Sequence, residues 1–363
     1  MLGEIDNKKL LSETIGMLRF PLMVCVVLTH IYIPNQENYL FVDIFDCYVV
    51  DSFVRIAVPL FFFISGFLFF VGIEEFGRVE YWNKLIKRGR RLLVPYLFWG
   101  IFAIGIRYIQ HLLGEDDIAY LFDGWLKWIY YIVWNPINYQ LWFVRDLLIV
   151  VLLSPIIYFF IKRLNFLFVL VLGAGWLFWH KNIFALFDLK YYILSGNVFD
   201  VLGFDFVSLF FFSFGAWFAL CNKNFALDFK RLFTIEVVLF VVCTICKFII
   251  VDEYYAEIFN RLAILFELKV TIVIVYKLVS RGKVKRNMFL ENGSLFIYYY
   301  HAIFLMYFNI FLFDFLLFSV ENESVYFLVY LFIPIVVILI GLWLYKVGMM
   351  YCPKVMKVVL GLK

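Results

Sequence analysis

The chain has 363 residues, 65% of them hydrophobic, with 47 phenylalanines, a mean hydropathy of +0.92 and a formal net charge of +4. That composition excludes an ordinary soluble domain, which sits nearer half apolar. Runs of about twenty apolar residues signal transmembrane helices, and about ten spans with short connections leave no length for a separate soluble catalytic domain.

Helices are expected near 12–34, 51–73, 92–113, 140–161, 164–180, 199–221, 232–250, 258–278, 289–317 and 325–346. The start, MLGEIDNKKLLSE, lacks the basic, apolar and small-residue sections of a secretory signal, so the first apolar segment reads as a retained span. Alternate loops differ in charge. One set carries Arg78, Lys84, Lys87, Arg88, Arg90 and Arg91, then Lys162-Arg163, Lys223, Lys230-Arg231, the Arg281–Arg286 group and the tail lysines. The other set offers Lys127, Lys181 and Lys190 against Glu115-Asp116-Asp117, Asp252-Glu253 and Glu321-x-Glu323. The positive-inside rule then places both termini in the cytoplasm. The expectation is an all-α, multi-pass bundle of about ten spans in the cell membrane, a single domain over 1–363 with no linker or internal repeat. Trp125–Trp134 is too short to span and is expected along the interface.

Six cysteines lie in or beside apolar runs, and Cys243-x-x-Cys246 has no second pair. They read as packing, not a metal site.

The first span, MLRFPLMVCVVLTHIYIP, holds Arg19 and His30. Eleven residues at about 100° each bring them to within roughly 20° on one face, about 16 Å apart along the axis. Ionisable groups inside a span are costly and mark polar pathways or sites. Arg55, Arg145 and Asp146 enter their helices at a depth near that of His30, and FIYYYHAIF brings His301 toward mid-membrane. A histidine beside arginines and an acid suits a general base with anion-stabilising partners. Interface snorkelling for Arg55 and Asp146, local pairing for Arg145-Asp146 and an interhelical bond for His301 are the plain alternatives. The basic run Lys84 to Arg91 serves topology or anionic headgroups on one reading, and phosphate recognition by Arg88 and Arg91 on the other.

Together these residues resemble the membrane-bound acyltransferase 3 family. Arg19-x10-His30 is similar to its first-helix signature, and Phe61-Phe62-x-x-Ser65-Gly66 to its FFxxSG element. Arg88-x-x-Arg91-x-x-x-Pro95 is similar to RxxRxxxP. Leu141-Trp142-Phe143 lies at the expected fourth helix, and Gly293-Ser294-x-x-Ile297-Tyr298-x-x-His301 resembles a late element of the family. The chain resembles the branch without an appended esterase domain. The resemblance implies an O-acyltransferase that moves an acyl group, usually acetyl, from cytoplasmic acyl-CoA to a hydroxyl of a surface or lipid-linked glycan. It implies no permanently bound cofactor and no nucleic-acid partner. His30 would act as base or be acylated transiently. Arg145 or Arg55 would stabilise the oxyanion, with His301, Trp142 and Asp146 nearby. Arg19, Arg88 and Arg91 would serve the donor, and Ser65-Gly66 would permit close packing. A glycan exporter or polymerase is the alternative class. The inverted repeats of many transporters and the large outer loop of polymerases are not evident.

Overall fold

A computed structural model describes residues 2–31, 39–73, 77–114, 124–178, 206–310 and 322–362. Glu115, Asp116, Asp117, Lys181, Lys190, Asp200, Asp205 and Glu321 lie outside the described residues, as does one end of several expected helices.

Within them the chain is helical and no strand occurs. In order come α1 (Leu2–Leu28), α2 (Leu40–Phe45, widening into π-helical Asp46–Val54), α3 (Ala57–Phe70), α4 (Arg78–Leu112), α5 (Trp125–Ile129), α6 (Trp142–Leu152), α7 (Ser154–Leu164) and α8 (Phe166–Phe178). Then follow α9 (Phe206–Leu220), α10 (Phe225–Arg231), α11 (Phe233–Ile249), α12 (Glu253–Ser280), α13 (Met288–Ile310), α14 (Glu323–Tyr351) and α15 (Pro353–Val359).

Each of the ten apolar segments expected from sequence meets a helix, and among the described residues four to six of them satisfy the length and hydropathy of a span. Asn7–Leu28, Leu40–Phe70, Arg78–Leu112 and Glu323–Tyr351 are long and apolar enough to cross a membrane alone. Two bent pairs raise the number to six. Tyr139–Leu152 meets Ser154–Leu164 at 60°, and Phe206–Leu220 meets Phe225–Arg231 at 99°. The 28-residue α12 has the length of a span but carries Glu257, Arg261, Glu267 and Lys269. Glu267 is buried, and Arg261 and Lys269 expose less than a fifth of their side chains, so these charges turn inward.

Close packing of α3 on α9 forms much of the core. A methyl group on Gly66 would overlap the Phe212 carbonyl, and one on Gly215 would overlap that of Phe63. Only glycine lets two backbones approach this closely, the arrangement small residues provide between membrane helices. Phe63 then meets Phe214, Phe218 and Phe225 edge to face at 5.1–5.9 Å, a favoured geometry for aromatic rings. Around this pair α1 packs on α12 and α13, α11 on α12, and α13 on α14.

The aromatic stretch Trp125–Trp134 is a short helix, α5, that widens into π-helical Tyr130–Trp134 and leaves most side chains exposed. Tyr96 of α4 donates to the Val133 carbonyl at 2.8 Å and anchors it.

Candidate active site

The site begins at the end of α1. The α-helix closes at Leu28, and a tightened turn follows, with His30 N–H bonded to the Val27 carbonyl at 3.1 Å. The His30 Nδ1 lies 2.6 Å from the Val26 carbonyl, so Nδ1 carries the proton and Nε2 is left as acceptor. The next nearest ring is that of His301 on α13, edge-on with centroids 5.1 Å apart, with Tyr139 at 5.2 Å on another side.

His301 is fully buried. Its Nδ1 faces the carbonyls of Ile297 and Tyr298 at 3.0 and 2.8 Å, which assigns the same tautomer. Its Nε2 has no hydrogen-bond partner among the described residues. The surrounding backbone is tied down. Asn138 and Gln140 both donate to the Tyr299 carbonyl, at 3.1 and 3.2 Å, and Tyr298 donates to the Gln140 carbonyl at 2.5 Å. The turn before α6 thus ties down the α13 backbone next to His301, whose ring meets that of His30 edge-on.

His30 opens onto a cavity of about 410 Å³ walled by α1, α2, α3, α6, α8, α9 and α12. Trp142 and Arg55 line it, as do Asp51, Glu257, Asn260 and Arg261. The two arginines are held by carboxylates one turn away. Arg55 lies 2.6–2.8 Å from Asp51, and Arg261 lies 2.9 Å from Glu257 while also donating to the Trp176 carbonyl at 2.6 Å. The wall therefore presents oriented donors and acceptors at low net charge, which suits a polyhydroxyl ligand.

Arg145 and Asp146 are placed differently. Arg145 turns to Asp146 at 2.9 Å and to the Trp134 carbonyl at 2.8 Å, and Asp146 is completely buried. Neither lines the His30 cavity. Their contacts join α6 to the π-helical end of the α5 segment.

About three turns before His30 on α1, Arg19 meets Arg286 at the buried carboxylate of Glu291. Arg19 Nη1 pairs with Oε1, and Arg286 binds the two oxygens at 2.5 and 2.8 Å. Arg286 stands on the loop before α13, where the bond to Glu291 holds its guanidinium further toward the protonated form. Arg19 opens onto a second cavity, of about 740 Å³, shared with Lys8, Phe67, Lys223, Asn224 and Arg286. Arg88 is partly buried and lies within electrostatic range of Arg19 and Arg91. Arg91 reaches a third cavity, between α4 and the C-terminal segment. Ser65 stands beside Gly66 at the α3–α9 contact and is half-buried.

The α12 residues Glu257, Asn260 and Arg261, together with Glu291, were not legible as site residues in the sequence. One signal was available for Glu291, since an arginine inside an apolar helix requires a counter-charge and an acid begins the helix that carries His301.

All six cysteines are free thiols, and among the described residues no group of His, Cys, Asp and Glu side chains is arranged to hold a metal ion.

An all-helical, membrane-type bundle in which a histidine facing a cavity meets a second, buried histidine defines the class. The model of the family described as "Acyltransferase domain" matches residues 13–346, and the chain belongs to this acyltransferase 3 family. The chain is similar to the "Succinoglycan biosynthesis protein ExoH" of Rhizobium meliloti (strain 1021), with 32% identity over 164 residues. That alignment covers 42% of this chain and 44% of the relative, so the similarity spans less than half the length of either. No solved structure matches the chain.

Proposed function

We propose that the chain is an integral membrane O-acyltransferase that moves an acyl group, most simply acetyl, from acyl-CoA on the cytoplasmic side to a hydroxyl of a surface or lipid-linked glycan. The observation that carries this reading is the meeting of His30 and His301, with Nε2 left as acceptor on each, where His30 lines a cavity that also holds the Asp51–Arg55 and Glu257–Arg261 pairs and Asn260. The curated relative's role in succinoglycan biosynthesis supports a glycan acceptor.

The donor enters at the Arg19 end. Coenzyme A carries phosphates on a long, thin arm, and Arg88, Arg91 and Arg19 are the guanidinium groups that suit them, since arginine forks bind phosphate bidentately. Loop charges put this end in the cytoplasm. The arm then runs along α1, and the thioester reaches His30 about 16 Å further on by helix rise.

At His30 the acceptor hydroxyl gives its proton to Nε2 as its oxygen attacks the thioester carbonyl. The tetrahedral oxyanion collapses, the carbon–sulfur bond breaks, and the departing thiolate takes the proton back from His30. The products are the glycan ester and free coenzyme A. Proton transfer by a positioned base contributes about 10²- to 10⁴-fold. His301 holds the His30 ring edge-on and keeps water from that face. Arg55 is a cavity-lining cation of the kind that stabilises an oxyanion. Arg145 acts at a distance, by fixing α6 and with it Trp142.

The deciding experiment is mass analysis of surface glycans from a strain lacking the chain. Loss of an acyl mass, restored by the wild type and not by His30→Ala, supports the reading. Unchanged acylation with accumulated lipid-linked precursor would favour an exporter or polymerase instead.

A further inference from the structure

A third cavity, of about 420 Å³, lies outside the helix bundle between α4 and the C-terminal segment. Lys87, Arg90 and Arg91 come from α4 and Lys357 from α15. Among the described residues none of the four is paired with a carboxylate. The remainder of the lining is largely aliphatic, with Ile86, Val94 and Val358 all exposed and Leu93 exposed beside them.

The cavity is built by tertiary packing and does not arise from a run of lysines on one helix. Trp99 of α4 donates to the Val359 carbonyl at 3.2 Å. Gly361, in the left-handed region at φ +62°, lies so close to α4 that a methyl group there would overlap the Arg91 carbonyl. These contacts pin the tail along α4 and bring Lys357 to the three basic residues. Like charges gathered without acids repel one another, so the arrangement is incomplete without an anion. Exposed aliphatic side chains beside them require an apolar partner as well.

We infer that this cavity binds the headgroup phosphate of an anionic phospholipid, with the acyl chains lying along Ile86, Leu93, Val94 and Val358. Basic pockets at the membrane surface hold anionic headgroups by this combination. A nucleotide phosphate satisfies the charges but leaves the aliphatic flank exposed, whereas a phospholipid satisfies both. The pocket is separate from the Arg19 cavity, and lipid retention there does not require acyl transfer. Arg91 alone is shared with the proposed donor path.

The test uses the purified full chain in phosphatidylcholine nanodiscs titrated with phosphatidylglycerol, read by native mass spectrometry and thermal shift. The wild type is expected to retain phosphatidylglycerol at least about tenfold more tightly than the K87Q/R90Q/K357Q variant. A K230Q/K283Q/K285Q variant, with the same loss of charge elsewhere, should retain it as the wild type does. If the first variant fails to fold, Arg90→Gln alone should weaken retention, and added salt should weaken it in the wild type by screening. Equal retention by the wild type and K87Q/R90Q/K357Q, or no preference over phosphatidylcholine, would overturn the assignment. Displacement by inorganic phosphate would show a site for free phosphate, and displacement by coenzyme A a donor site. Either result also overturns the lipid.

Discussion

The His30 and His301 rings meet edge to face with centroids 5.1 Å apart, and each commits its Nδ1 to a backbone carbonyl one turn earlier in its own helix. Both Nε2 atoms are thereby left as acceptors, and the His301 Nε2 has no described partner. A buried acceptor such as the His301 Nε2 is costly unless a donor comes beside it, and an acceptor hydroxyl is such a donor.

His30→Ala should therefore lower acyl transfer by about 100-fold or more, the scale of a lost general base. Glycan acyl content against expression level measures it, and wild-type activity in a well-folded His30→Ala protein would remove the histidine from the mechanism. His301→Gln should lower kcat by roughly ten- to a hundredfold, with less effect on the KM for acyl-CoA, because it acts on the reacting end and not on the phosphate end.

Replacing Arg88 and Arg91 together by alanine should raise the KM for acyl-CoA more than that for the acceptor. Steady-state kinetics in proteoliposomes separates the two, and a change confined to the acceptor KM would move the donor phosphates elsewhere.

Glu291→Gln should destabilise the fold. It leaves Arg19 and Arg286 side by side without their shared anion. Breaking a buried ion pair costs about 3–5 kcal/mol, and the exposure of the Arg19 side chain, at 37%, brings the expectation to about 2 kcal/mol. Thermal unfolding in detergent should show a lowered Tm, while Glu323→Gln, at the far end of α14, should change it little.

Gly66→Leu should prevent assembly of the α3–α9 pair, since even a methyl group overlaps the Phe212 backbone carbonyl. Gly77→Ala offers the contrast, because a methyl group there meets open space. The yield of folded protein by size exclusion reads the difference. Comparable yields would show that the helices can separate without loss of structure.

Parts of the site were readable before any coordinates. Arg19 and His30 stood out because each is expensive inside an apolar helix, and Gly66 because small residues permit close approach. The partners were not readable. Nothing local to the GSLFIYYYH stretch shows that His301 meets His30, since that depends on how Asn138, Gln140 and Tyr298 tie α13 to the turn before α6. Asp51, Glu257, Asn260 and Arg261 were missed because they stand at the starts of the expected segments 51–73 and 258–278, where polar side chains read as ordinary interface residues. The same residues line the cavity.

By itself the sequence determined the helical class, the apolar segments, the loop-charge asymmetry and the family motifs, because these follow from composition and spacing within single helices. Only the tertiary structure decided what those charges do. It drew Arg145 to Asp146 and away from the cavity, joined Arg19 and Arg286 through Glu291, set His301 against His30, and made the basic run of α4 into a pocket with Lys357. A charge in an apolar bundle must find its partner across helices far apart in the chain, and that choice is made by packing, not by sequence neighbours.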